Sequence, residues 1–522
     1  MAAKVLHLLV TIPLLLLLVS VAFAANNPST TRAVARRGSN RTAAPRRSPP
    51  VPPAGSAAGR SKQRGSTART PAPPTRKRTT PSTGTPTRSP VAVKGGRKVR
   101  VPRAGTTAPS SSLSLIKLPN NRYNAKCLDG SPPTYYLRTG YGSGASSWVI
   151  YLQGGGWCTS VTACAARAKT VLGSSNFYPP PSDPNFDKTM RDYGNAFTGI
   201  LSNSSTENPD FYNWNLAMVV YCDGGGFAGT RRQYDMPTGG SIYLDGARVF
   251  KSVLEDLYER GLLQARKVLF TGCSAGAQAV SSMCDRVATY LPPGSVKCMM
   301  DAGFFLDGWD VTGRMYFRDL SMRFTELHRP AVEQGCGDAY TGSTEYWRCF
   351  FPQYNVEFID TPLYIVNSIN DYAAIEILNY AQNTSNNILK CLAELAPNGG
   401  SGGYVPRATR NLLASAGVGA RGGGRTSRSS AGSRPAASNS SCTVQAQAAL
   451  RSYSTRMLKR IQSLVRRRPQ LGSYLLGASA HCTTIYPTWS SINRKGVFLR
   501  QAISDWYFKG VYGVTGASNS KG

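Results

Sequence analysis

Gly272-Cys273-Ser274-Ala275-Gly276 is the segment of this 522-residue chain whose residue types and spacing best suit chemistry. It follows the apolar run Lys267-Val268-Leu269-Phe270 and precedes Ala277-Gln278-Ala279-Val280, which suits the start of a helix. Strand, tight turn and helix are what a G-x-S-x-G nucleophile elbow requires. Its glycines permit a strained turn and close packing, and the serine hydroxyl is lifted clear at the top of a sheet. The pattern also arises by chance in Gly- and Ser-rich chains, so its partners decide the matter.

A serine nucleophile needs a base, and histidine titrates nearest to operating pH. The chain has three histidines, His7, His328 and His481. His7 lies in a leader-like segment. In an α/β-hydrolase the triad runs Ser…Asp/Glu…His along the chain. Asp371, just after the apolar run Leu363-Tyr364-Ile365-Val366, then places His481 third, in the small-residue segment Gly477-Ala478-Ser479-Ala480-His481-Cys482. His328 precedes Asp371 and breaks that order, so it reads as an ordinary polar residue. Asp301 and Asp307 stand as rivals of Asp371 for the acid role.

Acyl transfer also needs N–H donors aimed at a developing oxyanion. The N–H of Ala275, directly after the serine, is one. The loop Gly154-Gly155-Gly156-Trp157, behind Trp148-Val149-Ile150-Tyr151-Leu152, offers others, at Gly155, Gly156 and Trp157. The elements that must carry these groups alternate. Short apolar runs at 148–152, 216–221, 268–270 and 363–366 suit strands buried on both faces. Helical spacing is seen from Leu244 to Arg260, Asp371 to Leu395 and Val444 to Val465. The alternation predicts an α/β fold with a mainly parallel central sheet flanked by helices and the site beyond the strands' carboxyl ends.

The rest of the chain divides by composition. Residues 1–24, with Lys4, an apolar run and small residues at Ala22 and Ala24, read as a cleaved signal peptide too short to span a membrane. Residues 25–112 hold nineteen Lys/Arg and no Asp or Glu, and supply over half of the net charge of +34. Such a segment lacks the apolar surface to fold. A second low-complexity stretch at about 398–441 reads as a basic insertion. An α/β-hydrolase-like domain is therefore expected over 113–515, interrupted by that insertion. Twelve cysteines behind a signal peptide favour disulfides, with Cys158 and Cys164 close enough for a local bridge. Acceptor sequons for N-glycosylation stand at Asn40, Asn203, Asn383 and Asn439. No C-x-x-C pair or H-E-x-x-H motif points to a metal, and no cofactor is expected.

Seven segments lie in the order of the pectin acetylesterase family, which the chain resembles. They are Gln153-Gly154-Gly155-Gly156-Trp157-Cys158, Tyr221-Cys222-Asp223-Gly224, Leu244-Asp245-Gly246-Ala247-Arg248-Val249-Phe250, the elbow, Cys284-Asp285-Arg286, Asp301-Ala302-Gly303-Phe304-Phe305 and Ala480-His481-Cys482. The chain also resembles Notum, the animal branch of that family. The resemblance covers about 112–396 and 442–510. It implies an α/β-hydrolase fold, a Ser274-Asp371-His481 triad, oxyanion donors at Gly155, Gly156, Trp157 and Ala275, and no metal. Two departures stand out: Ala277 replaces a usual glycine, and Gly224-Gly225-Gly226-Phe227 replaces a more polar loop. The expected function is a secreted serine carboxylesterase acting on acetylated polysaccharide such as pectin, at the cell wall, with the basic segment touching a polyanion. The alternatives are a Notum-like deacylase of a fatty-acylated protein and a non-enzymatic polyanion binder. The signal peptide and the complete triad weigh against the last, and against nucleic acid as its partner.

Overall fold

The structure is a computed structural model that describes residues 112–375 and 444–515, save Asn195, Thr238, 311–313 and 513. The leader, nearly all of the basic segment and the insertion at about 398–441 lie outside the described residues. So do Cys391, Cys442 and three of the four sequons; the fourth, Asn203, is exposed.

Nine strands build one sheet: β1 (Ser114–Lys117), β2 (Thr134–Arg138), β3 (Ser147–Leu152), β4 (Asn215–Val219), β5 (Lys267–Cys273), β6 (Val296–Asp301), β7 (Leu363–Ser368), β8 (Leu471–Leu476) and β9 (Val514–Thr515). Their order is β1-β2-β4-β3-β5-β6-β7-β8-β9. The pairs of β2 with β1 and with β4 are antiparallel, and from β4 to β9 all pairs are parallel. The helices that matter below are α1 (Val161–Arg167), α2 (Gly246–Glu259), α3 (Ala275–Tyr290), α4 (Tyr316–His328), α5 (Val444–Arg467) and α6 (Leu499–Lys509). This is the expected α/β-hydrolase-like architecture.

Strand side chains alternate between two cores, because successive residues of a strand face opposite ways. Trp148, Ile150, Val268, Phe270 and Ile365 pack with α2, α3 and α5 on one face. Val149, Tyr151, Leu269, Tyr364 and Tyr474 pack with α6 on the other. Burial on both faces explains why these strands read as continuous apolar runs. In α2, Phe250, Val253, Leu254 and Leu257 all reach the core at helical spacing. Each such side chain contributes on the order of 1.5–3 kcal/mol of apolar transfer energy.

The parallel register lines up the strand ends. Leu152 lies opposite Gly272, Cys273 opposite Asp301, Asp301 opposite Val366, and Ser368 opposite Leu476. The residues just past these positions therefore meet at one edge of the sheet, where an open α/β sheet takes its ligand. Ser274, Asp371 and His481 all belong to that edge. The helix expected from Asp371 begins at Tyr372, and its later part lies outside the described residues. Among the described residues, no helix is long and apolar enough to cross a membrane.

Candidate active site

β5 continues through Cys273 and α3 begins at Ala275, so a single residue makes the turn. Ser274 makes it with φ 57° and ψ −125°. Such a backbone costs a non-glycine residue about 1–3 kcal/mol and persists only where its surroundings impose it. The Ser274 N–H donates to the carbonyl of Asp301 at 2.9 Å, and the Ser274 carbonyl accepts from Gln278 N–H at 2.9 Å. The two motif glycines answer a steric need. A Cβ on Gly272 would stand 2.7 Å from the Leu152 carbonyl oxygen, and one on Gly276 would stand 2.2 Å from it. The elbow is thus pressed against the end of β3. The departure at Ala277 is accommodated across from it by Gly303, where a Cβ would come within 2.5 Å of the Ala277 methyl.

His481 lies in the loop after β8. His481 Nδ1 lies 2.9 Å from each carboxylate oxygen of Asp371. A carboxylate only accepts, so Nδ1 carries the proton, and in the neutral ring Nε2 presents its lone pair. Asp371 is buried, and its Oδ1 also accepts the N–H groups of Ala373 and Ala374 at 3.0 and 3.2 Å. The rival carboxylates have other hydrogen-bond partners. Asp307 holds Arg318 at 2.8 and 3.1 Å and the Tyr354 hydroxyl at 2.7 Å. Asp301 accepts from Thr483 and Thr484. A disulfide from Cys482 to Cys273 draws the His481 loop onto the elbow. Both sulfurs and one imidazole nitrogen of His481 lie within 4.8 Å of one another.

The donor loop runs from the end of β3. A Cβ on Gly154 would stand 2.9 Å from the Ser274 Cβ, so this loop lies against Ser274. Its carbonyls are turned away and held from behind. Arg167 Nη2 donates to Gly155 O at 2.8 Å, and the Tyr221 hydroxyl to Gly156 O at 2.7 Å. His328 Nε2 meets Cys158 O at 2.8 Å. The N–H groups of Gly155, Gly156 and Trp157 find no protein acceptor among the described residues. Ala275 opens α3, where helix geometry leaves the first N–H groups without intrahelical partners. The Trp157 ring packs edge-on against Phe305 and Phe350, with centroids 5.1 and 5.0 Å away.

His328 is fully buried, and burial lowers its imidazole pKa to about 4. It is therefore neutral near pH 7, and the proton on Nε2 is the one given to Cys158 O. Behind it lies the Gly224–Phe227 turn. Cys158 N–H donates to Gly224 O at 3.0 Å, and the buried Asp223 carboxylate gathers the N–H groups of Gly225 and Phe227. Burial raises the Asp223 pKa to about 6, against the pull of those hydrogen bonds.

A sequence profile described as Pectinacetylesterase matches residues 106–397. The chain belongs to the pectinacetylesterase family. Over 248 residues it is 39% identical to Pectin acetylesterase 7 of Arabidopsis thaliana, covering 47% of this chain and 59% of that protein. It shares the same identity and coverage with Pectin acetylesterase 11 of that plant. Over 267 residues it is 28% identical to the palmitoleoyl-protein carboxylesterase notum1a of Danio rerio, covering 48% of this chain and 49% of the other. The matched part spans 49% to 59% of these relatives.

Within this pectinacetylesterase-family fold, the structure brings together Ser274, Asp371, His481, Ala275 and the Gly155–Trp157 loop. It sets His328 apart from Asp371 and puts it behind the donor loop. Residue order gives no function to Arg167 or Tyr221 and offers Asp301 only as a rival acid. Arg167 and Tyr221 act on backbone carbonyls, which leave no spacing signal. The described cysteines form five disulfides, Cys158–Cys164 among them as expected, with Cys127–Cys222, Cys273–Cys482, Cys284–Cys298 and Cys336–Cys349.

Proposed function

We propose that the chain is a secreted carboxylic ester hydrolase that removes acetyl groups from a polysaccharide such as acetylated pectin. The observation that carries this reading is the Asp371–His481 pair, 2.9 Å apart, tied next to the strained turn at Ser274. Ser274 Oγ attacks the ester carbonyl while His481 Nε2 takes its proton. Asp371 holds the tautomer and stabilises the imidazolium. The N–H groups of Ala275, Gly155, Gly156 and Trp157 receive the oxyanion. His481 returns the proton to the departing sugar hydroxyl, leaving an acetyl-enzyme. Water, activated by the same imidazole, then releases acetate.

Acetylated pectin is favoured over a fatty-acylated protein by the higher identity to the plant pectin acetylesterases, 39% against 28%. Secretion is supported by the leader-like residues 1–24 and by the five disulfides. The basic segment 25–112 is assigned to holding the enzyme on a polyanionic wall polymer. The test is acetate release from acetylated pectin by wild type and by Ser274→Ala. The variant should be folded and inactive, and full activity in it would overturn the triad. A series of p-nitrophenyl esters should show rates falling from acetyl to longer chains, and a preference for long acyl chains would instead favour the lipid deacylase. Removing residues 25–112 should spare hydrolysis of p-nitrophenyl acetate and weaken retention on polygalacturonate.

A further inference from the structure

We propose that Asp301 is a positioning residue for this reaction: it ties the backbone of the nucleophile to the loop that carries His481. The proposal rests on the esterase reading above. Asp301 ends β6, next to Cys273 in the sheet register. Its carbonyl accepts the Ser274 N–H at 2.9 Å. Its carboxylate faces the other way along the site. Oδ2 accepts the backbone N–H and the hydroxyl of Thr484, each at 2.6 Å, and Oδ1 accepts the Thr483 hydroxyl at 3.3 Å. One residue thus holds both the nucleophile and the segment two to three residues beyond the base.

Three observations argue that this arrangement serves the site. The first is chemical. Asp301 is 1% exposed, and among the described residues no Lys or Arg forms an ion pair with it. Burial raises its pKa, and the bonds from Thr484 oppose that shift. A carboxylate so placed is costly unless its hydrogen bonds are made. It can accept three donors at once, which a carboxamide with a single oxygen cannot do as well. The second is conformational. Cys482 takes a left-handed backbone, φ 57° and ψ 55°, directly after His481, so the loop doubles back sharply at the base. The third is redundancy of aim. The Cys273–Cys482 bridge anchors the same loop to the residue before Ser274, while Asp301 anchors it to Ser274 itself. With Asp371 on Nδ1, the imidazole is fixed through its ring, through its following residue and through the next two. The Asp301 carboxylate bonds to Thr483 and Thr484 and also interacts electrostatically with His481, and its hold on the base runs through the loop.

The experiment uses the full-length enzyme and p-nitrophenyl acetate, a small ester that needs no polymer subsite. Asp301→Asn, Thr484→Val and Thr484→Ser are compared with wild type for kcat, KM, Tm and the rate at which a fluorophosphonate labels Ser274. A displaced base costs turnover more than binding. Asp301→Asn is expected to lose about 10–100-fold in kcat and in labelling rate with KM unchanged. Thr484→Val is expected to lose several-fold in both, and Thr484→Ser, which keeps the hydroxyl, to recover them. A folded Asp301→Asn with wild-type kcat would overturn the proposal. If Asp301→Asn does not fold, the Thr484 pair decides, and equal kcat in Thr484→Val and wild type overturns it. Ser274→Ala runs alongside. Turnover that survives Ser274→Ala fells the esterase mechanism and the clamp with it, whereas an inactive Ser274→Ala beside a fully active Asp301→Asn fells the clamp alone.

Discussion

Two loops flank Ser274, and they are held in different ways. The donor loop, 153–158, is fixed by hydrogen bonds to its carbonyls from Arg167, Tyr221 and His328. Its one disulfide, Cys158–Cys164, is local, closing six residues. The base loop, 477–484, is fixed by a disulfide that spans 209 residues and by the carboxylates of Asp371 and Asp301. The difference follows from what each loop delivers in the proposed mechanism. Donor N–H groups are aimed once their carbonyls are pinned, because a peptide unit is planar. An imidazole must instead be placed against a hydroxyl from a distant part of the chain, so a long-range tether is the economical solution. The donor loop is held by bonds to three separate carbonyls, and the base loop by the bridge and the two carboxylates.

Breaking the base side should therefore cost most. His481→Ala and Asp371→Asn are each expected to lose about 10⁴-fold in kcat on p-nitrophenyl acetate with Tm nearly unchanged, read by steady-state kinetics and thermal unfolding. Retention of more than a tenth of the activity by either would remove that residue from the triad. The next largest effect belongs to the tether. The Cys273→Ala/Cys482→Ala double variant is expected to fall about 10²-fold in kcat. It should also lose up to about 5 kcal/mol of stability in the chain-entropy account of a long closed loop. A double variant with full kcat would show that the bridge stabilises the fold without aligning the base.

The same contrast explains what could be read from residue order. Ser274, Asp371 and His481 could be singled out because the proposed chemistry restricts residue types, and an α/β sheet fixes their order at strand ends. The strands at 147–152, 215–219, 267–273 and 363–368 were legible as apolar runs because both faces are buried. β8 was less so: Gly472, Ser473 and Tyr474 dilute its run, although all three are buried. Asp301 was noticed only as a rival acid, since a carboxylate at a strand end looks alike whether it meets an imidazole or a pair of threonines. His328 was set aside by its order in the chain, and its work on Cys158 O depends on a fold-back of 170 residues that no local pattern announces.

Breaking the donor side one bond at a time should cost less. Tyr221→Phe removes the bond to Gly156 O and also the one accepted from Gly226 N–H at 3.0 Å. About a tenfold loss in kcat with KM unchanged is expected, smaller than the 10²–10³ of deleting a donor outright, because the loop stays tied at both neighbours. Arg167→Met should behave similarly. The double variant should lose more than the product of the single losses, because each bond covers for the other. Strict multiplication in a double-mutant cycle would mean that these two ties act independently.

The smallest expected effect concerns His328 and separates holding the loop from doing chemistry. His328→Gln keeps an N–H donor for Cys158 O, so kcat should fall only a few-fold. The larger change should be in the pH dependence of stability. The imidazole titrates near 6.5 in the unfolded chain and at about 4 when folded. Below pH 6.5 the unfolded state takes up a proton that the folded state refuses, so this group's contribution is complete above pH 6.5 and shrinks as pH falls towards 4, by roughly 3 kcal/mol. Asp223 has the opposite sign: its pKa is raised from 3.8 to about 6, so the folded state binds its proton first and gains stability over nearly the same acid range. In wild type the two trends offset each other between pH 6 and 4. In His328→Gln only the Asp223 trend remains, and relative to wild type the variant should gain stability on acidification. Urea unfolding of both proteins at pH 7, 5.5 and 4.5 reads that difference directly. Parallel curves would mean that His328 is not buried as a neutral imidazole, and that the donor loop is held without it.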